Sequence, residues 1–334
     1  MYRMKKLCIA TYVFGKKYQG FIPIYIYSIM KNYPEYDIRI YVDKVLSLNV
    51  RKQLDLLPNK NKFKIIENYN NVLKINNNFK KNEQILRSLR WLIYDEAFNN
   101  YDSIYIGDID IFICKEDMGI YEQHIKHAEY LKLPYSNCIR NPRKIKPLDK
   151  SNRIKNLLKY SFSERKEFKK YIGNELLLFS GLHFIITKDY FPAIINVTEK
   201  FKSELIRLSK GKSKKWNRLF FNNEQFLYEL IKESQIGLPP LSKDGISNDN
   251  LDFNTVSFRP HHGLHLGIFR TLEIAEANKS LLLGKLYIDY YKQFVFLREN
   301  DHLFKLIENY FSSYIKKIIN NMDLFYEKYL DNPS

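Results

Sequence analysis

Apolar runs of strand length alternate with longer apolar stretches along the first third of the chain. Residues 7–13 (LCIATYV) are strand-like, residues 18–31 form a longer apolar stretch stopped by Asn32-Tyr33-Pro34, and residues 38–42 (IRIYV) make a second strand-like run ending at Asp43. Strand, helix and strand in that order predict a βαβ unit whose parallel strands are buried on both faces. The carboxyl ends of such strands, here Thr11 to Gly15 and Asp43, open onto one ligand crevice.

Residues 59–82 are polar and rich in Asn and Lys, with a short strand expected at 63–66. Over residues 83–98 a helical period puts Leu86, Leu89, Ile93 and Ala97 on one face and Arg87, Arg90 and Tyr94 on another. An apolar strand is then expected at 103–107, running straight into Asp108-Ile109-Asp110. Residues 139–170 are basic, with Arg140, Arg143, Lys144, Lys146, Lys150, Arg153, Lys155 and Lys159, and read as an insertion or an active-site loop. Residues 175–187 predict two strands separated by Ser180-Gly181, followed by a helix over 190–208. Beyond the Lys-rich tip at 210–215, a further helix includes Asn222 to Tyr228, and from 271 onward the chain reads as helical. The pattern predicts an α/β domain over 1–270, with halves at about 1–115 and 116–270, and a helical C-terminal extension over 271–334.

With 334 residues, 45% of them apolar and 15% aromatic, the chain can bury a substantial core. The net charge of +17 favours anionic partners: nucleotides, acidic glycans, nucleic acid or an anionic membrane surface. Charge does not choose among them, and the abundance of Lys, Asn, Ile and Tyr is what AT-rich coding produces by itself. Only Cys8, Cys114 and Cys138 are present, without C-x-x-C spacing, so disulfides and structural zinc are not expected and a reducing cytoplasm fits. The basic start at residues 1–6 is followed by an apolar run broken at Gly15-Lys16-Lys17, which argues against a signal peptide. No apolar run approaches the roughly 20 residues of a membrane span. There is no G-x-G-x-x-G, P-loop, H-E-x-x-H or G-x-S-x-G motif.

Chemistry concentrates at Asp108 and Asp110. Alternate residues of a strand share a face, so the two carboxylates are expected to project together beyond the buried part of a sheet. Hard oxygen ligands suit Mg2+ or Mn2+, and either suits a diphosphate; a helix N-cap or a solvated strand end is the plainer alternative. The late segment His261-His262-Gly263-Leu264-His265-Leu266-Gly267 gathers three imidazoles, with Arg270 just beyond. It could supply a further metal ligand, His265 ahead of His262, together with a guanidinium for a phosphate. A zinc hydrolase is disfavoured, since neither H-E-x-x-H nor a cysteine pair accompanies these histidines.

The D-x-D at the end of an apolar strand, after a βαβ start and an arginine-bearing helix, resembles the nucleotide-sugar glycosyltransferases of GT-A fold. The likeness is greatest to bacterial enzymes of surface-polysaccharide and lipooligosaccharide synthesis. It implies a GT-A-like (Rossmann-like) α/β fold with a mostly parallel central sheet flanked by helices. It also implies a donor that is a nucleotide-diphosphate sugar, UDP-linked for preference, and a glycan or lipid-linked glycan acceptor. Carried onto this chain, the resemblance makes Asp108 and Asp110 ligands of Mn2+ or Mg2+, with His265 or His262 as a further ligand. Thr11, Tyr12, Val13, Asp43, Arg87, Arg90, Asp108, Gly181 and Arg270 would bind the nucleotide sugar. Glu224 falls where inverting members carry a general base, and in a retaining enzyme it would orient the acceptor instead. The late histidine segment lacks the Lys-Pro-Trp that follows it in some retaining families. His183, flanked by apolar residues, reads equally as a core histidine. The basic segments could meet an anionic acceptor or the inner membrane surface. Nucleotidyl transfer and nucleic-acid binding are the rival classes; the first lacks its glycine-rich loop, and no nucleic-acid partner is expected.

Overall fold

A computed structural model describes residues 5–72, 83–140, 142–147, 162–242 and 249–331. Lys150, Arg153, Lys155 and Lys159 of the basic stretch lie outside the described residues. The strands in chain order are β1 (Lys5–Val13), β2 (Asp37–Val42), β3 (Phe63–Ile66), β4 (Tyr101–Ile106), β5 (Ile111–Ile113), β6 (Tyr135–Ser136), β7 (Arg143–Lys144), β8 (Glu175–Leu176), β9 (His183–Ile186) and β10 (Gly263–His265).

Six of them form the central sheet in the order β3-β2-β1-β4-β9-β6. The pairs β2–β3, β1–β2 and β1–β4 are parallel, whereas β9 runs antiparallel to both β4 and β6. The expected α/β class, with a mostly parallel sheet, is what the chain forms. The βαβ entry forms as its apolar pattern predicts, with the helix Ile22–Asn32 connecting β1 to β2.

Strand alternation divides the core in two. Leu7 and Ile9 of β1 face a cluster that holds Ile22–Asn32 and the C-terminal helices, whereas Cys8 and Ala10 face a second cluster. The second contains buried residues of the helices Thr187–Ser209 and Asn223–Ser234. Residues beyond 271 are helical as expected, and Tyr287, Phe294, Phe304, Ile315 and Met322 are buried in the first cluster. No described helix is long and apolar enough to cross a membrane.

Two local expectations are corrected. The helix expected over 83–98 is α-helical only at Glu83–Ser88, becomes a 3-10 turn at Leu89–Leu92 and leaves helical geometry at Ile93. Asp95 holds the break: it accepts from the Ala97 N–H at 2.9 Å, from Tyr41 Oη at 2.9 Å and from Arg39 Nη2 at 2.6 Å. The strand expected at 103–107 forms at Tyr101–Ile106, but the strand alternation expected of the two aspartates does not hold. Gly107 then bonds back to β1, its N–H to the Ala10 carbonyl at 3.2 Å and its carbonyl to Thr11 Oγ1 at 2.9 Å. The chain turns there and enters β5, which pairs antiparallel with β10 in a separate two-stranded sheet. Asp108 and Asp110 thus sit on a turn between two sheets rather than on one strand.

Candidate active site

The turn carrying Asp108 and Asp110 opens onto a pocket of about 190 Å³ at the carboxyl ends of β1 and β4. Thr11, Tyr12 and Val13 enter it from β1, Arg87 and Arg90 from the broken helix, Glu224 from the start of Asn223–Ser234, and His265 and Arg270 from the late segment. These elements are distant in sequence, and the sheet's topology brings their ends to one edge.

Arg90 is buried at 8% exposure and lies over the Trp91 ring, its guanidinium carbon 4.2 Å from the ring centroid. It forms an ion pair with Asp108 and donates through Nη2 to Asn223 Oδ1 at 2.9 Å. Trp91 Nε1 donates to the Asn223 carbonyl at 3.0 Å, so the 3-10 turn and the helix start are tied at two points. Gly181 lies under this junction. A Cβ there would stand 3.0 Å from Arg90 Nη2, 3.3 Å from Glu224 Oε1 and 3.6 Å from Asp108 Oδ2. Its expected place beside the site follows from this close approach.

Asp110 is buried, with His265 Nε2 3.5 Å from its Oδ1. Burial disfavours the Asp110 carboxylate, but His265 beside it, the local backbone N–H and Arg270 outweigh that and hold the group below the usual carboxylate range. His265 shows the converse: burial works against its charged form, yet Asp110 and the more distant Asp108 and Asp249 raise it above the ordinary imidazole value. Gly267 faces the pair so closely that a Cβ would overlap the Asp110 carboxylate.

Glu224 receives Arg140 Nη1 on both oxygens, at 3.0 and 2.9 Å. Arg270 donates from Nε to the Gly267 carbonyl at 2.7 Å and approaches Tyr18 Oη at 3.5 Å. Arg87 faces the pocket and also stands 3.9 Å from Glu83. Tyr12 is mostly buried, and its hydroxyl donates to Asn70 Oδ1 at 2.6 Å. Asp43 stands at the end of β2, where it accepts from the Gly15 N–H at 3.2 Å; burial raises its carboxyl above the usual range, against the pull of that N–H.

His262 does not belong to this site. It is fully buried on the core side, where Nδ1 meets Glu116 Oε2 at 2.9 Å and Nε2 meets His124 Nε2 at 2.9 Å. With β10 antiparallel to β5, three residues of separation take His262 and His265 to different surroundings. His183 is likewise a core histidine, bonded to Asn137 Nδ2 at 3.0 Å and Tyr190 Oη at 3.0 Å; burial, with Arg90 adding to it, lowers it to about 3.

Among the described residues, no three His, Cys, Asp or Glu side chains are grouped as a metal cage. Asp110 and His265 offer an oxygen and a nitrogen donor side by side, a set that suits Mn2+. Asp108 lines the same pocket but is engaged by Arg90. Sequence reasoning overlooked Asn223 and Arg140 as the partner of Glu224. Their partners are remote in sequence, 84 residues away for Arg140 and 139 for Asn223 with Gln84, so no local pattern marks them.

No protein-family model and no curated protein matches the sequence. Among solved structures, the chain is similar to the galactosyltransferase LgtC bound to donor and acceptor sugar analogues, at 16% identity and TM-score 0.36, over 67% of this chain and 70% of that one. It is similar to core-mannan synthase A from Aspergillus fumigatus in its Mn/GDP form, at 12% identity and TM-score 0.40, over 69% and 70%. A mannosyltransferase from S. cerevisiae matches at 11% identity and TM-score 0.37, over 64% of this chain and 63% of that one. All three carry the name of a sugar-transferring enzyme or a glycan synthase. At these low scores the functional reading rests on the site's own side chains.

Proposed function

We propose that this protein is a GT-A-type glycosyltransferase that takes its sugar from a nucleotide diphosphate donor. The observation that carries the reading is the convergence, at one sheet edge, of the Asp110–His265 pair, the Arg90–Asp108 pair, Arg270 and the Arg140-bound Glu224. Carboxylates and an imidazole can hold Mn2+ or Mg2+, while guanidiniums hold phosphate oxygens. When bound by Asp110, His265 and Asp108, the cation supplies positive charge where the departing diphosphate becomes negative.

The chain's own groups do the rest. Arg270 and Arg87 reach the pocket with donors for phosphate oxygens. Tyr12 and Phe14 present aromatic surface at the end of β1 for the base. Gly181 keeps the floor open, because a side chain there would fill the space between Arg90 and Glu224. Glu224 stands at the acceptor side; in an inverting reaction it takes the acceptor hydroxyl's proton, and in a retaining one it orients the acceptor. UDP is the proposed nucleotide. The proposed acceptor is a glycan or lipid-linked glycan of surface-polysaccharide synthesis, met at the cytoplasmic face of the membrane.

The test is a thermal-shift series with UDP, GDP and nucleotide sugars, each with and without Mn2+. UDP with Mn2+ is expected to raise Tm, and Asp110→Ala is expected to abolish the Mn2+-dependent part. Absence of any nucleotide-dependent shift in the wild type, or its survival in Asp110→Ala, overturns the reading.

A further inference from the structure

A second cleft, of about 600 Å³, lies beside the antiparallel strands β7 and β8, in the half at about 116–270. Its rim carries Arg143, Lys144 and Lys146, all exposed. Its floor is apolar: Phe168 and Leu176 are buried, with Leu219 and Phe220 packed against them. No described Asp or Glu lines it. Glu175 pairs with Lys144 in strand register, but it lies outside the lining.

Several other cations of this half are neutralised, although Lys166, Lys169 and Lys170 near Phe168 are exposed without an ion pair to a described carboxylate. Arg140 pairs with Glu224, Arg218 with Glu164, Lys215 with Glu229 and Glu233, and Lys202 with Glu199. Arg143, Lys144 and Lys146 make no ion pair with any described carboxylate. Three such charges around a concave apolar floor suit a discrete anionic ligand, because pockets of this kind fix a ligand through a few polar groups.

The cleft also adjoins the candidate active site. Gln84 lines it, and its Oε1 accepts from the Asn223 backbone N–H at 3.2 Å and from Asn223 Nδ2 at 2.8 Å. Asn223 in turn accepts from Arg90, and Asn222, also in the cleft wall, accepts from the Glu224 N–H at 2.7 Å. One layer of amide side chains thus separates the two spaces.

We propose that this cleft is the subsite for an acceptor glycan bearing a carboxylate or a phosphate. The anion sits against Arg143, Lys144 and Lys146, the sugar rings lie on the apolar floor, and the acceptor's reactive end extends past Asn222 to Glu224. The assignment as an acceptor subsite rests on the glycosyltransferase reading, whereas the preference for an acidic glycan rests on the cleft alone.

The experiment uses the full chain without nucleotide and three fluorescent trisaccharides that differ only at one end: neutral glucose, glucuronate, or a sugar phosphate. In fluorescence polarisation an acidic probe is expected to bind roughly tenfold more tightly than the neutral one, the scale of a few partly exposed charge contacts. The variant Arg143→Gln/Lys144→Gln/Lys146→Gln should remove that preference and leave the Tm shift with UDP and Mn2+ unchanged. Equal binding of all three probes by the wild type, or a preference that survives in the variant, overturns the proposal. So does charge-dependent binding to phosphatidylglycerol vesicles without any glycan preference, which would assign the cations to a membrane surface. A variant-sensitive preference for acidic probes in a protein that UDP does not stabilise retains the acidic-glycan site and rejects the donor reading alone.

Discussion

Arg90 and Asp108 form an ion pair inside the candidate site, the arginine nearly buried and the aspartate facing the pocket. The pair links the turn after β4 to the 3-10 turn at Leu89–Leu92 and, through Asn223, to the helix bearing Glu224.

Replacing Arg90 with Gln should therefore act in two directions. A positive charge beside the cation position disappears, so Mn2+ alone should bind several-fold more tightly, while stabilisation by UDP should weaken because a phosphate donor is lost. Calorimetric titration of Mn2+ with and without UDP reads both; weaker Mn2+ binding by Arg90→Gln would contradict the assignment of Asp108 to the cation.

Gly267 and Gly181 offer a paired comparison. An alanine methyl at 267 would overlap the Asp110 carboxylate, whereas one at 181 would meet the side-chain ends of Arg90, Glu224 and Asp108 at 3.0, 3.3 and 3.6 Å. Gly267→Ala should lose Mn2+-dependent UDP stabilisation almost entirely, and Gly181→Ala should retain most of it while lowering turnover. Thermal shift and a donor-hydrolysis assay separate the two outcomes.

His262 should matter for stability and not for the cation. His262→Ala removes one partner from Glu116, which keeps Tyr290 and Gln123, and one from His124, which keeps Ser136, a loss of about 1–3 kcal/mol. Urea denaturation should show that loss, and Mn2+ affinity measured at low temperature should match the wild type. His265→Ala should do the reverse.

Asp95 gives a pH signature. Burial disfavours its carboxylate, but the Ala97 N–H, Arg39 and Tyr41 outweigh burial, and its folded pKa is lowered. A lowered carboxyl contributes stability that is complete above the ordinary value near 4 and is lost as pH falls through the folded value. Wild type should exceed Asp95→Asn by about 1–2 kcal/mol at pH 6, with the difference shrinking below about pH 4. Urea midpoints for both proteins at pH 6 and pH 3 check the sign.

The apolar runs at residues 7–13 and 38–42 determined the βαβ entry by themselves, because a strand buried on both faces must be apolar throughout. The same logic placed Thr11, Tyr12 and Val13 at the crevice and made Asp108 and Asp110 a pair worth following. Helical period alone could not see that the stretch over 83–98 breaks, since the break is held by Arg39 and Tyr41 of a distant strand. Nor could spacing separate His265 from His262: that depended on the pairing of β10 with β5 and on Glu116 and His124 inside the core. Local sequence fixes which residues can form an element. Which charges meet across it, as Arg90 meets Asp108 and Arg140 meets Glu224, was decided only when the sheet brought remote chain ends within hydrogen-bond reach.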